Sequence, residues 1–141
     1  MSQLNKVKYF HFLLKMRITQ KKIGDDTFIY FVNHQNNELD YGYIQYYISN
    51  DENIVNLLYI YVHPDLRGQR YGEYLIKEMF KDVTFKMKAK GVEQFDILLD
   101  DMSDHFGKDE NLYRKMGFEY CEIDEEGPCG PEMSLTIKIK N

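Results

Sequence analysis

Cysteine is scarce in this 141-residue sequence, and tryptophan and long apolar runs are absent. The two cysteines, Cys121 and Cys129, have neither the spacing of a metal site nor the number that a disulfide framework needs, so we expect reduced thiols. No apolar stretch approaches the ~20 residues of a membrane-spanning helix. The first residues also contain no apolar core followed by a cleavage site. These absences predict a soluble, cytoplasmic protein with no membrane partner and no metal.

Acidic and basic residues are unevenly distributed along the chain. Residues 100–132 contain 11 acidic and 3 basic residues, whereas the rest contains 12 acidic and 15 basic ones. Such a block often only solvates a surface, but a negative local field also attracts a cationic ligand. The overall charge of −5 argues against a nucleic-acid binder. That alternative would use the lysines of the helix predicted below, which are Lys77, Lys81, Lys86, Lys88 and Lys90.

The periodicity of apolar residues changes once along the chain. In the first half a period of about two, together with 15% aromatic residues, favours β-strands. The predicted strands are at about 12–18, 28–32, 41–48 and 54–62. A period of four then predicts a helix over about 72–90 that ends at Gly91. Its apolar stripe consists of Leu75, Met79, Val83 and Met87.

The last third of the sequence predicts shorter elements. We expect a strand at 92–99, a second helix at 108–116 ended by Gly117, and two final strands. The final strands are predicted at 118–123 and 133–139. Because no repeat or linker interrupts this pattern, we expect one α+β domain over residues 1–141. It should have a mixed, mostly antiparallel sheet of six or seven strands with two main helices.

The junction between the fourth strand and the long helix is the most informative segment. Pro64 ends the strand, and a short loop with Gly68 leads into the helix. A helix N-terminus offers unpaired N–H groups and a partial positive charge, to which Arg67 and Arg70 add full charges. This pattern suits a pyrophosphate, although many such junctions only form turns.

Two motifs resemble the GNAT superfamily of N-acetyltransferases. Residues 62–72 are similar to its acetyl-CoA loop, whose signature is Gln/Arg-x-x-Gly-x-Gly/Ala. Arg67 and Gly72 match the first and last positions, whereas Arg70 replaces the middle glycine. Residues 111–118 resemble the Leu-Tyr-x-x-x-Gly-Phe segment of the same superfamily. The order of predicted elements agrees too, so that the resemblance extends over roughly 54–139.

The resemblance implies that the chain transfers the acetyl group of acetyl-CoA to an amine by direct attack. The residues implied to bind the donor are Ile60, Tyr61, Val62, Arg67, Gly68, Gln69, Arg70, Tyr71, Gly72 and Glu73. Tyr113 is implied as the general acid, because a phenol of pKa ~10 is protonated at neutral pH and can supply a proton to a thiolate of pKa ~8.5. The alternative for Tyr113 is an aromatic ring that only packs against Phe118.

The general base is less well defined by the sequence. Asp100 and Asp101 follow the fifth predicted strand and are the candidates, with His63 in reserve, although all three also fit ordinary loop positions. The position at which some relatives carry a glutamate falls near Asn56.

The acceptor site is expected to differ from that of most relatives. Members of the superfamily usually have two helices between the first and second strands, and residues 19–26 are too few to form them. This predicts an acceptor site that is more open, or that other loops or the second subunit of a homodimer complete. The alternative to an enzyme is an inactive acyl-CoA-binding or regulatory module.

Overall fold

The computed structural model describes residues 17–32, 41–49 and 51–140. The strands of its main sheet are β1 (Arg17–Ile23), β2 (Asp26–Val32), β3 (Gly42–Ser49), β4 (Ile54–Val62), β5 (Gln94–Asp100), β6 (Glu119–Tyr120) and β9 (Glu132–Lys138). A separate two-stranded hairpin consists of β7 (Ile123–Asp124) and β8 (Gly127–Pro128). The helices are α1 (Tyr71–Ala89) and α2 (Leu112–Lys115), and a 3-10 turn spans Pro64–Leu66.

The main sheet has the order β1-β2-β3-β4-β5-β9-β6. All of its neighbouring strands are antiparallel except β4 and β5, which run parallel. A parallel pair needs a crossover connection, and α1 supplies it. The predicted α+β fold with a mixed, mostly antiparallel sheet of six or seven strands is confirmed, and the sheet has seven strands.

Helix α1 lies against one face of the sheet, on β2, β3 and β4. The predicted apolar stripe is confirmed, because its four members, Leu75, Met79, Val83 and Met87, are 0% exposed. The helix also ends as predicted at Gly91, whose φ of 77° lies in the left-handed region that favours glycine. Neither helix of the described residues has the length and the hydropathy that crossing a bilayer requires.

The connection predicted at residues 19–26 is wrong, because β1 extends through most of it. Strands β1 and β2 form a hairpin in which Ile23 pairs with Asp26. Gly24, with a φ of 62°, provides the positive φ that such a two-residue turn requires. No helix therefore separates β1 from β2, as expected. Residues 12–16 of the predicted first strand lie outside the described residues.

The elements after α1 are shorter than predicted. Helix α2 begins at Leu112 rather than near 108, because the side chain of Asn111 caps it. The strand predicted at 118–123 is interrupted at Cys121, and its last part belongs to the β7–β8 hairpin. Cys121 and Cys129 are both free and exposed.

Candidate active site

Strands β4 and β5 pair over only part of their length. Their parallel register runs from Ile54–Asp96 to Asn56–Leu98, and in the described residues it ends there. On the other side of β4 the register with β3 shifts, since Gln45 pairs with Tyr59 and Tyr46 with Leu57. Leu58 is therefore the extra residue of a β-bulge, which bends the strand locally. The C-terminal half of β4 diverges from β5.

A cavity of about 380 Å³ lies where the two strands diverge, and we call it the β4–β5 cavity. The residues that line it are Leu58, Tyr59, Ile60, Asp100, Met102, Ser103, His105, Leu112 and Tyr113. They come from β4, from the loop after β5 and from α2. Ile60, Asp100 and Tyr113 were predicted as site residues, and the structure brings these three together.

Tyr113 is the second residue of α2, and its ring contacts Phe118 edge-on at 6.3 Å between centroids. Burial, and then the charge of Asp101 and the neighbouring Tyr59, raise the pKa of Tyr113 to about 12. The phenol is therefore protonated at any ordinary assay pH. It both packs against Phe118 and faces the cavity, so the two interpretations of this residue are compatible.

Asp101 lies in a buried hydrogen-bond network and is not among the residues that line the cavity. Its side chain is 2% exposed. One carboxylate oxygen accepts hydrogen bonds from the Ser103 amide (3.0 Å) and hydroxyl (2.5 Å). The other accepts from the Tyr120 hydroxyl at 2.6 Å and the Asn111 amide at 2.7 Å. This carboxylate is engaged in holding the loop.

The pKa of Asp101 is lowered by this network. Burial alone would raise the pKa, but the hydrogen bonds, those from Ser103 and Tyr120 first, outweigh it. A carboxylate with a lowered pKa is a weaker base, and its oxygens are already occupied by donors. Of the two candidate bases, the geometry favours Asp100, which lines the cavity.

The other polar candidates lie outside the cavity. The ring nitrogen Nδ1 of His63 accepts a hydrogen bond from the Asp65 amide at 3.1 Å and caps the 3-10 turn. Asn56 is the last residue of β4 that pairs with β5. Neither residue lines the cavity.

The loop before α1 carries an unusual backbone conformation at Arg70. This residue is the N-cap of α1 and has φ 67° and ψ 17°, the left-handed region in which a non-glycine residue is disfavoured. Arg70 occupies the position of the middle glycine in the acetyl-CoA loop signature. The backbone is therefore left-handed at a position that lacks glycine, the residue that adopts this conformation most easily. Arg67 folds back, and its Nε donates a hydrogen bond to the Val62 carbonyl at 3.0 Å.

The first turn of α1 is packed closely against the end of β4. A methyl group on Gly72 would lie 3.0 Å from a side-chain atom of Leu112 and 3.8 Å from one of Ile60. The side chain of Arg70, the N-cap residue of this helix, makes no capping hydrogen bond. The backbone N–H groups of the first turn can therefore be offered to an anion.

The remaining residues of the predicted donor site surround this turn. Gly68 and Arg70 are exposed, whereas Tyr61, Gln69 and Glu73 are half-buried and Tyr71 is buried. The Tyr71 ring contacts Phe31 edge-on at 5.1 Å, which fixes the start of the helix on β2.

Leu58 of the cavity, and Asn111 of the network beside it, were not predicted as site residues. The bulge at Leu58 depends on pairing with β3 and has no local signal. Asn111 could have been recognised, since asparagine directly before a helix is a typical N-cap. Its Oδ1 accepts hydrogen bonds from the Tyr113 and Arg114 amides at 2.8 and 3.3 Å.

Comparisons with known proteins agree with this geometry. A family model described as "Acetyltransferase (GNAT) domain" matches residues 25–120. A search of curated proteins finds no match.

Solved structures of similar fold share little sequence with this chain. A putative GNAT-family acetyltransferase from Desulfovibrio desulfuricans is 15% identical with a TM-score of 0.56, over 81% of this chain and 69% of its own. The PaiA N-acetyltransferase from Thermoplasma acidophilum, in complex with coenzyme A, is 21% identical with a TM-score of 0.52, over 82% of this chain and 62% of its own. A GNAT-family acetyltransferase from Elizabethkingia anophelis with acetyl-CoA bound is 17% identical with a TM-score of 0.51, over 89% and 99%.

At such identities these structures demonstrate the fold alone, whereas the family model covers more than half of the chain. The family model therefore shows to which family the chain belongs: it is a member of the GNAT acetyltransferases.

Proposed function

We propose that the protein transfers the acetyl group of acetyl-CoA to the nitrogen of an amine by direct attack. The observation that carries the proposal is the divergence of β4 from β5, which opens the β4–β5 cavity beside the start of α1. The presence of coenzyme A or acetyl-CoA in two structures of similar fold supports a CoA thioester as donor.

The donor would lie along the end of β4, with its pyrophosphate at the first turn of α1. The unpaired edge of β4 beyond Asn56 offers backbone groups to the pantetheine arm in place of a neighbouring strand. The amides of residues 68–73, the positive end of α1 and the charges of Arg67 and Arg70 would hold the phosphates.

The acceptor nitrogen would attack the thioester carbonyl carbon from within the cavity. A C–N bond forms, the C–S bond breaks, and the amine loses a proton while the sulfur gains one. An ordinary amine of pKa ~10.4 is protonated at neutral pH, so a base must first accept its proton. Asp100 lines the cavity and is proposed for this role, directly or through water.

Tyr113 is proposed to donate to the departing sulfur. With a pKa of about 12 it keeps its proton, and its hydroxyl can hydrogen-bond to a developing thiolate of pKa ~8.5. This interaction exists mainly in the transition state, so its removal should lower kcat and kcat/KM together.

The test is single-turnover acetyl transfer by the wild type and by Tyr113→Phe, with a panel of amines as acceptors. We expect a loss of about 10²-fold, the low end for a general acid, because a thiolate is a good leaving group. Tyr47→Phe, on β3 and outside the cavity, is the matched control and should keep its rate. Acetyl-CoA should raise the melting temperature of all three proteins by mass action.

Two outcomes would contradict the proposal. A wild type with no thermal shift at millimolar acetyl-CoA would not bind the donor. A wild type that shifts but transfers to no amine would be the inactive acyl-CoA-binding module.

A further inference from the structure

The β4–β5 cavity has an apolar rim that water reaches. Leu58 is 45% exposed, Tyr59 58% and Met102 83%, and all three line the cavity. Single exposed apolar side chains are common, but a cluster around a cavity marks a binding site more often than chance. The rim therefore suits a ligand that carries an apolar group.

The Tyr59 ring and the backbone turn that contains Met102 are held in position by their surroundings. The Tyr59 ring stacks on Tyr43 with 6.0 Å between centroids and 18° between planes. Met102 lies within the turn in which the Ser103 amide and hydroxyl donate to Asp101, itself buried. A ring that is already stacked loses little side-chain entropy when a ligand binds.

The lining of the cavity contains few charged side chains. Among the described residues, Asp100 is the one acidic residue that lines it. The remaining lining side chains are mostly apolar or aromatic, with Ser103 and His105 as further polar groups. The neighbouring Asp101 carboxylate is buried and already accepts from four donors. The one carboxylate at the cavity surface therefore matches one ammonium group better than several.

We propose that the cavity binds a small amine with one cationic group and an apolar or aromatic body, which contacts Leu58, Tyr59 and Met102. The inference rests on the proposed acetyl transfer, because it names the class of acceptor. It separates this class from the polyamines, whose second and third charges would have to lie against the apolar rim.

The experiment compares propylamine, hexylamine and spermidine at saturating acetyl-CoA. Hexylamine has three more CH₂ groups than propylamine, and each fully buried CH₂ is worth about fourfold in binding. Because the rim is open, the added CH₂ groups are only partly buried. We therefore expect the kcat/KM for hexylamine to be at least about tenfold that for propylamine, and to be higher than that for spermidine. A ratio near one, or a preference for spermidine, would overturn the inference and leave acetyl transfer intact.

Two variants test whether the rim causes the selectivity. Met102→Ser should lower the hexylamine-to-propylamine ratio at least about threefold, since it removes apolar contact at the rim. Phe85→Ser makes an equivalent change at a 75% exposed position of α1 outside the cavity, and its ratio should equal that of the wild type. Equal ratios in all three proteins would exclude the rim as the cause.

Binding measured without turnover separates failure of this inference from failure of the proposed function. Ligand-observed NMR of each amine with the CoA-saturated protein needs no chemical step. If no amine is acetylated but hexylamine binds better than propylamine, and Met102→Ser removes the difference, the inference holds and the proposed activity fails. If neither amine binds, the inference is overturned.

Discussion

Asn111 connects the buried Asp101 to the helix that carries Tyr113, and its replacement by alanine provides the sharpest test of the loop. Asn111 is 0% exposed. Its amide nitrogen donates to Asp101 at 2.7 Å, and its amide oxygen accepts from the Tyr113 amide at 2.8 Å. Asn111→Ala removes all of these interactions at once.

The magnitude follows from what each interaction contributes. Loss of an N-cap costs about 1 kcal/mol, and loss of one donor to a buried carboxylate costs about 1–3 kcal/mol. The free energy of unfolding should fall by about 2–4 kcal/mol, which for a chain of this size corresponds to a melting temperature lower by roughly 5–15 °C. Because α2 then loses its cap, Tyr113 should be less well positioned, so kcat should fall while the KM for acetyl-CoA stays near the wild-type value.

Thermal melting and steady-state kinetics of two further variants make the test specific. Asn111→Ser keeps a cap and loses the donor, and its melting temperature should lie between those of the wild type and Asn111→Ala. Asp109→Asn changes a fully exposed partner of Arg114 in the same loop and should melt like the wild type. If Asn111→Ala melts within about 2 °C of the wild type, the network contributes too little for this reasoning to stand.

Two further predictions follow from the backbone at Arg70 and from the lowered pKa of Asp101. Arg70→Gly should leave the melting temperature unchanged or raise it, since relief of a left-handed non-glycine residue (about 1–2 kcal/mol) exceeds the added chain entropy of glycine (about 0.5–1 kcal/mol). The KM for acetyl-CoA should rise, because a charge near the phosphates is lost. A clearly lower melting temperature would contradict this prediction. Because the pKa of Asp101 is lower in the folded state, its contribution to stability is present above the unfolded-state pKa of about 3.9 and is lost as the pH falls through the folded-state value. Urea denaturation from pH 7 to 2 should therefore show a smaller acid-induced loss for Asp101→Asn than for the wild type, and parallel curves would refute it.

The sequence predicted the parts of the fold that local periodicity determines. The stripe of α1, its stop at Gly91 and the strand–loop–helix junction all depend on residues within a few positions of one another, and the structure contains each of them. The boundaries of β1 and the bulge at Leu58 depend on which residues lie on the neighbouring strand. No local pattern contains that information, which is why the shape of the cavity rim could not be predicted.

The different positions of Asp100 and Asp101 could have been predicted from the alternation of buried residues in β5. In β5 the residues Phe95, Ile97 and Leu99 are buried in the core, and Asp101 continues this alternation, whereas Asp100 is out of phase with it. Because adjacent residues of a strand point to opposite faces, the two carboxylates have different surroundings and different roles. The inward carboxylate becomes the acceptor of a buried network and raises the pKa of Tyr113, after burial itself, which keeps the phenol protonated. The outward carboxylate lines the cavity in which, in the proposed reaction, an amine would lose a proton. The acid and the base of the proposed reaction thus both depend on the C-terminal end of β5. There Asp101 holds the loop, while Asp100 remains available for chemistry.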